Sequence, residues 1–178
     1  MRGSTDFRML AALLFMAVPL FAQKDARQPL TEAQVEQIRE AGIDPAERIK
    51  LYTKFLGEHV ETIRGLTKRG HSAARAHRID EELQDLTALM DELGSNLDQY
   101  GERKADLRVA LKPLNEDAQH WLDALCALPS EPVFDLSRKE ALDSGKDIAD
   151  QAAQMLTEQT EYFKLHKDER GQDRAEPK

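Results

Sequence analysis

Ile79-Asp80-Glu81-Glu82-Leu83-Gln84-Asp85-Leu86-Thr87-Ala88-Leu89-Met90-Asp91-Glu92-Leu93 opens the stretch that decides the fold. Its apolar residues recur at Ile79, Leu83, Leu86, Met90 and Leu93, and the pattern continues through Leu97, Tyr100, Leu107, Leu111, Leu114, Ala118, Trp121, Leu125 and Leu128. The steps alternate four and three without a slip, with Lys104 as the one polar residue in phase. That is a heptad repeat of about seven heptads, and it calls for α-helix packed on α-helix.

Pro113 interrupts this run, because proline lacks the helical N–H and crowds the preceding turn. The phase survives it, which favours one helix near 72–128, kinked at Pro113 and reaching ~85 Å at 1.5 Å per residue. A clean break at Pro113, with Glu116 and Asp117 suiting the start of a new helix, gives a more compact four-helix bundle instead. Lys104 either specifies register or oligomeric state, or packs its stem while the ammonium reaches water.

Outward from this stretch, Leu30-Thr31-Glu32-Ala33-Gln34-Val35 supplies a helix start, with Thr31 and Gln34 fit for a capping box and Leu30 and Val35 spaced for a hydrophobic staple. Gly42 suits the left-handed end of a short helix near 32–41. Asp44-Pro45-Ala46-Glu47 restarts a helix near 45–69, with Asp44 as cap, Pro45 in the first position and Glu47 completing a box. Ile49, Tyr52, Leu56, His59, Ile63 and Leu66 form its stripe, widened by Phe55, and Gly70 can end it. A last helix near 138–166 is expected from a Ser137 and Glu140 capping box. Its apolar face runs through Leu142, Ile148, Ala152, Met155, Leu156, Tyr162 and Phe163. The fold expected is all-α: an elongated antiparallel helical bundle, coiled-coil-like, with its long central helix kinked or broken at Pro113. The early half of that helix pairs with the 45–69 helix, and the last helix folds back along its later half.

Residues 1–22 read as an export signal, with Arg2 and Arg8 before an apolar stretch from Met9 to Phe21 and small Ala22 at the cleavage point. The stretch is too short to span a bilayer. Residues 23–29 form a leader, 30–166 a single helical domain, and 167–178, KDERGQDRAEPK, a disordered polar tail without a large apolar anchor. These features point to a periplasmic or secreted bacterial protein with no transmembrane span in its mature form.

The 178-residue chain is 40% hydrophobic, 6% aromatic and 33% charged, so a narrow aliphatic seam must sit inside a charged shell. Without residues 1–22, 23 basic and 32 acidic residues leave a net charge of −9. That excludes non-specific nucleic-acid binding. Cys126 is the one cysteine, so it makes no internal disulfide. It packs as a small free thiol or bridges two chains.

The chain has no G-x-S-x-G, no phosphate-cradling glycine loop, no H-E-x-x-H and no paired cysteine motif, so neither catalytic nor cofactor residues are assigned. Glu116, His120 and Asp123 lie on neighbouring turns with metal-ligand donors, a spacing that acidic helices produce often, and no metal site is assigned. His59 reads as a satisfied core or boundary histidine. The cluster from Arg64 to Arg78, with Lys68, Arg69, His71, Arg75 and His77 between, contains no acidic residue after Glu61 and before Asp80. It either touches anionic headgroups or cell-wall polymers, or is simply where one helix ends and an acidic one begins.

Leu30-Thr31-x-x-Gln34 resembles the LTxxQ motif of the periplasmic Spy/CpxP-type stress chaperones, which are small, exported and all-helical. The match covers five residues and carries no site residues with it. The resemblance implies chaperone-like binding of unfolded proteins. The function expected is thus non-enzymatic, through a protein partner or self-association by helices, as an adaptor, spacer or chaperone-like envelope protein. The alternative is a periplasmic metal-binding or sensor protein.

Overall fold

The computed structural model describes residues 28–170, which form five α-helices and no strand. They are α1 (Glu32–Glu40), α2 (Pro45–Thr67), α3 (Ala73–Glu102), α4 (Arg108–Cys126) and α5 (Asp135–Leu165). The proposed signal segment and most of the leader and tail lie outside the described residues. A short 3₁₀ turn at Lys167–Glu169 follows α5, and Arg170 closes it by donating to the Phe163 carbonyl at 2.8 Å. Helical structure therefore runs past residue 166.

The Thr31–Gln34 capping box forms as the spacing requires, and Asp44 caps α2 through the N–H groups of Ala46 and Glu47. Glu47 does not complete a second box, because its carboxylate pairs with Lys50 at 2.6 Å. Leu30 is buried while Val35 is exposed. Gly42 takes the left-handed conformation (φ 59°), but α2 ends at Thr67, before Gly70.

The central run departs most from expectation. Fourteen of its in-phase side chains, Ile79 through Leu128, are buried, so the heptad phase holds. The helix nevertheless breaks at Arg103–Leu107, and Pro113 lies inside α4. The break is a helix stop of Schellman type: Lys104 N–H donates to Gly101 O at 3.0 Å, and Ala105 N–H reaches back to Tyr100 O at 3.1 Å. Ala105 and Tyr100 are both buried, supplying the apolar contact of that motif. Lys104 occupies its left-handed position with φ 57°, where glycine is the usual residue. The run keeps phase because Tyr100 and Leu107 are one heptad apart, whether helix or loop joins them. Lys104 is thus in a turn and exposed, with its ammonium 5.2 Å from the Tyr162 ring centre.

Breaking there lets α4 double back. Tyr52 meets Glu92 and His59 meets Glu82, so α2 and α3 are antiparallel. Ser137 meets Asp80 and Gln151 meets Asp98, so α3 and α5 are parallel. Gly145 faces Leu122 and Gln159 meets Leu107, so α5 runs antiparallel to α4. Each long helix packs on two others, in the ring α2, α3, α5, α4, while α2/α5 and α3/α4 are diagonal and do not pack. The bundle is mixed: two antiparallel neighbour pairs and two parallel ones. α3, the longer of the two central helices, spans about 45 Å, not ~85 Å.

α5 starts at Asp135, three residues before the expected position, because buried Phe134 anchors its first turn. Ser137 is consequently no cap; it is buried and donates to Asp80 at 2.5 Å. Leu136, just before it, is exposed. Of the face expected for α5, Ile148, Ala152 and Phe163 are buried while Leu142, Met155, Leu156 and Tyr162 are only half-buried; small Ser137, Ala141, Gly145 and Ala149 are buried beside them, between α3 and α4. A side chain at Gly145 would put its first carbon 3.1 Å from Leu122 Cδ2.

Candidate functional site

The basic cluster is the sequence feature that most invites a function, and the fold places it at one end of the bundle. There the α2–α3 turn lies beside the α4–α5 segment. Three of its cations are used internally. Arg64 pairs with Glu61 at 2.6 Å and reaches the His120 carbonyl on α4. Arg78 pairs with Glu81 at 3.1 Å and with buried Glu82 at 2.8 Å. Arg75 is buried and donates to the Glu131 carboxylate across the two loops, with His71 Nδ1 3.1 Å from the same nitrogen.

The Arg75–Glu131 pair also answers a local problem. α3 has no acidic residue in its first turn and a cation instead, which the positive pole of the helix opposes. Glu131 brings the missing negative charge from another loop. Asp135 is similarly occupied, accepting from Ser130 Oγ and Glu131 N–H and pairing with Arg138 at 3.2 Å. What remains at this end is Lys68 and Arg69, exposed and with no ion pair or side-chain hydrogen bond among the described residues. Exposed His71 and His77 flank them.

His59 is the boundary histidine expected. Its Nδ1 lies 2.8 Å from Glu82 Oε2 and its Nε2 3.1 Å from the Pro29 carbonyl, so it ties the segment before α1 to α2 and α3. Tyr52, read only as part of an apolar stripe, proves to be a second polar tie. Its hydroxyl donates to Glu92 at 2.6 Å, and its pKa is pushed up to about 12, first by burial and then by the Glu92 hydrogen bond and charge. Polar residues facing a core carry no signal in a hydrophobic pattern, so only the three-dimensional partner reveals this one.

Glu116, His120 and Asp123 are each exposed, and among the described residues no group of three or more His, Cys, Asp or Glu is arranged to hold a metal ion. His120 instead edges an open groove of about 580 Å³ between α2 and α4, floored by Trp121 and Val60. Its rim carries charges of both signs, Lys54 and Arg64 against Glu58, Glu61 and Asp117. The LTxxQ residues serve the fold: Leu30 is buried, Thr31 and Gln34 cap α1, and Gln34 also donates to Glu58 on α2 at 2.9 Å. Cys126 is exposed at the end of α4, not packed as a thiol in the core. Among the described residues no helix is long and apolar enough to cross a membrane.

Compared with known proteins, the chain matches no protein-family model, no curated protein and no solved structure. Its own residues are therefore the ground for a functional reading.

Proposed function

We propose that this is an exported, non-catalytic helical protein that acts by associating with other proteins, as an adaptor, spacer or chaperone-like binder. One observation supports the reading above others. The polar groups best suited to chemistry are spent on joining helices, whereas large apolar side chains are left outside. Ile43, Val109 and Leu165 are 90%, 70% and 83% exposed. All three sit at the end of the bundle where α2 and α4 begin and α5 finishes. At this end too is a shallow hollow of about 290 Å³, where Gly101, Met155, Tyr162 and Phe163 sit among polar Lys104, Glu158 and Gln159. Large apolar side chains exposed at one end of a bundle are the kind of surface that protein association buries.

The test replaces Ile43, Val109 and Leu165 together by serine. The variant should melt as the parent does, since these side chains are outside the core. It should lose both self-association in sedimentation and the ability to slow aggregation of a denatured model protein. A parent that stays monomeric and protects no unfolded protein, or a variant that matches an active parent, refutes the reading.

A further inference from the structure

We propose that the opposite end of the bundle docks on an anionic lipid surface. The sequence gives seven cationic or histidine side chains between Arg64 and Arg78. The fold removes Arg64, Arg75 and Arg78 from that number by pairing each with a carboxylate. Lys68 and Arg69 are left uncommitted on the turn that forms the tip. Two carboxylates at this end are paired with cations, Glu131 with Arg75 and Asp135 with Arg138, while Asp80 accepts from Ser137 and keeps its charge, as does exposed Asp123. Lys139 and Glu140, next along α5, are of opposite sign.

At the same end of the bundle the α4–α5 segment and the first turn of α5 expose apolar side chains, Val133 at 44% and Leu136 at 69%. Cations next to exposed aliphatic groups fit a phospholipid surface, where the charges meet phosphates and the apolar groups enter the headgroup boundary. The tip is also tied together, since Arg75–Glu131 fastens the start of α3 to the α4–α5 segment and Ser137–Asp80 fastens α5 to α3. The chain as a whole carries a net charge of −8, so a side-on approach is repelled by the same surface. Only an end-on approach places positive charge first.

The experiment is co-sedimentation of the purified chain with vesicles of phosphatidylcholine mixed with phosphatidylglycerol, against vesicles of phosphatidylcholine alone. Binding should appear on the anionic vesicles and fall with added salt. Each lysine or arginine near such a surface contributes roughly fivefold, so Lys68→Glu with Arg69→Glu should weaken binding at least tenfold. Leu136→Ser should weaken it further. Lys112→Glu with Lys146→Glu, the same charge change elsewhere, should have a much smaller effect. Equal binding to neutral vesicles, equal loss in the two double variants, or no binding to either vesicle overturns the proposal. Retention on an anionic cell-wall polymer without vesicle binding overturns it in favour of that surface.

Discussion

Gln159 holds the α3–α4 loop to α5: its Oε1 accepts from the Leu107 N–H at 2.8 Å while its Nε2 donates to the Ala105 carbonyl at 2.9 Å. Leu107 is the N-cap of α4 and offers no capping side chain of its own. A residue from another helix thus satisfies the loop where the central heptad run breaks. Gln159→Ala should leave a buried N–H and a buried carbonyl without partners, at about 1 to 3 kcal/mol each. Urea denaturation should show a loss of roughly 2 to 5 kcal/mol. A loss under ~0.5 kcal/mol, the range of surface changes, would mean that the amide does not clamp the loop.

Lys104 offers a test with a sign. At φ 57° a side chain costs roughly 1 to 2 kcal/mol, a strain that glycine does not carry. Lys104→Gly and Lys104→Ala both remove the ammonium from Tyr162, so their difference reports the backbone alone. The glycine variant should be the more stable by about 1 kcal/mol. In the interior of a continuous helix the order reverses, with alanine favoured by ~0.5 to 1 kcal/mol.

Arg75 and Glu131 form a pair whose arginine is almost fully buried. Removing the carboxylate alone, by Glu131→Ala, should cost about 3 kcal/mol or more, because it strands a buried charge. Adding Arg75→Met to that variant should recover much of the loss. If the double variant is as unstable as the single one, the cost belongs to the loop and not to the stranded guanidinium.

Tyr52 sets a limit at high pH. Folding raises its pKa to about 12 from 10.0, so the unfolded chain loses the phenol proton first. The associated stability is whole below pH 10 and drains away as pH climbs toward 12, by roughly 2 to 3 kcal/mol. Tyr52→Phe should be less stable than the parent at pH 7 by ~1 kcal/mol for the lost Glu92 bond. It should also show a flatter decline between pH 10 and 12. Parallel pH profiles for the two proteins would contradict the assignment.

Much of this architecture is written in the chain. The seam from Ile79 to Leu128, the Thr31 and Asp44 caps and the α2 stripe are legible because each depends on neighbours within a few residues. The break at Arg103–Leu107 is not, since Tyr100 and Leu107 keep heptad phase in a loop as well as in a helix, and Lys104 conceals a position where glycine would have announced the stop. Pro113 draws the eye to the wrong place: α4 has length enough to carry it six residues in. On α5, Ile148, Ala152 and Phe163 are legible as core, but the first half of its buried side escapes notice because Ser137, Ala141 and Gly145 look neutral in a hydrophobic pattern, although close packing requires them. At the basic end the charges are legible and their partners are not, because Glu131 is 56 residues from Arg75.

The arrangement of α3 and α4 can be measured as one distance. Spin labels at Ala74→Cys and Ala127→Cys, in a Cys126→Ser background, sit on exposed positions at the start of α3 and just past the end of α4. Arg75 touches Glu131 only if those two ends lie together. Pulsed electron resonance should give a separation on the order of 25 Å, as expected for helices packed with axes about 8 to 10 Å apart between neighbours. A distance near 80 Å, the rise of one unbroken helix over that span, would contradict the four-helix bundle described above.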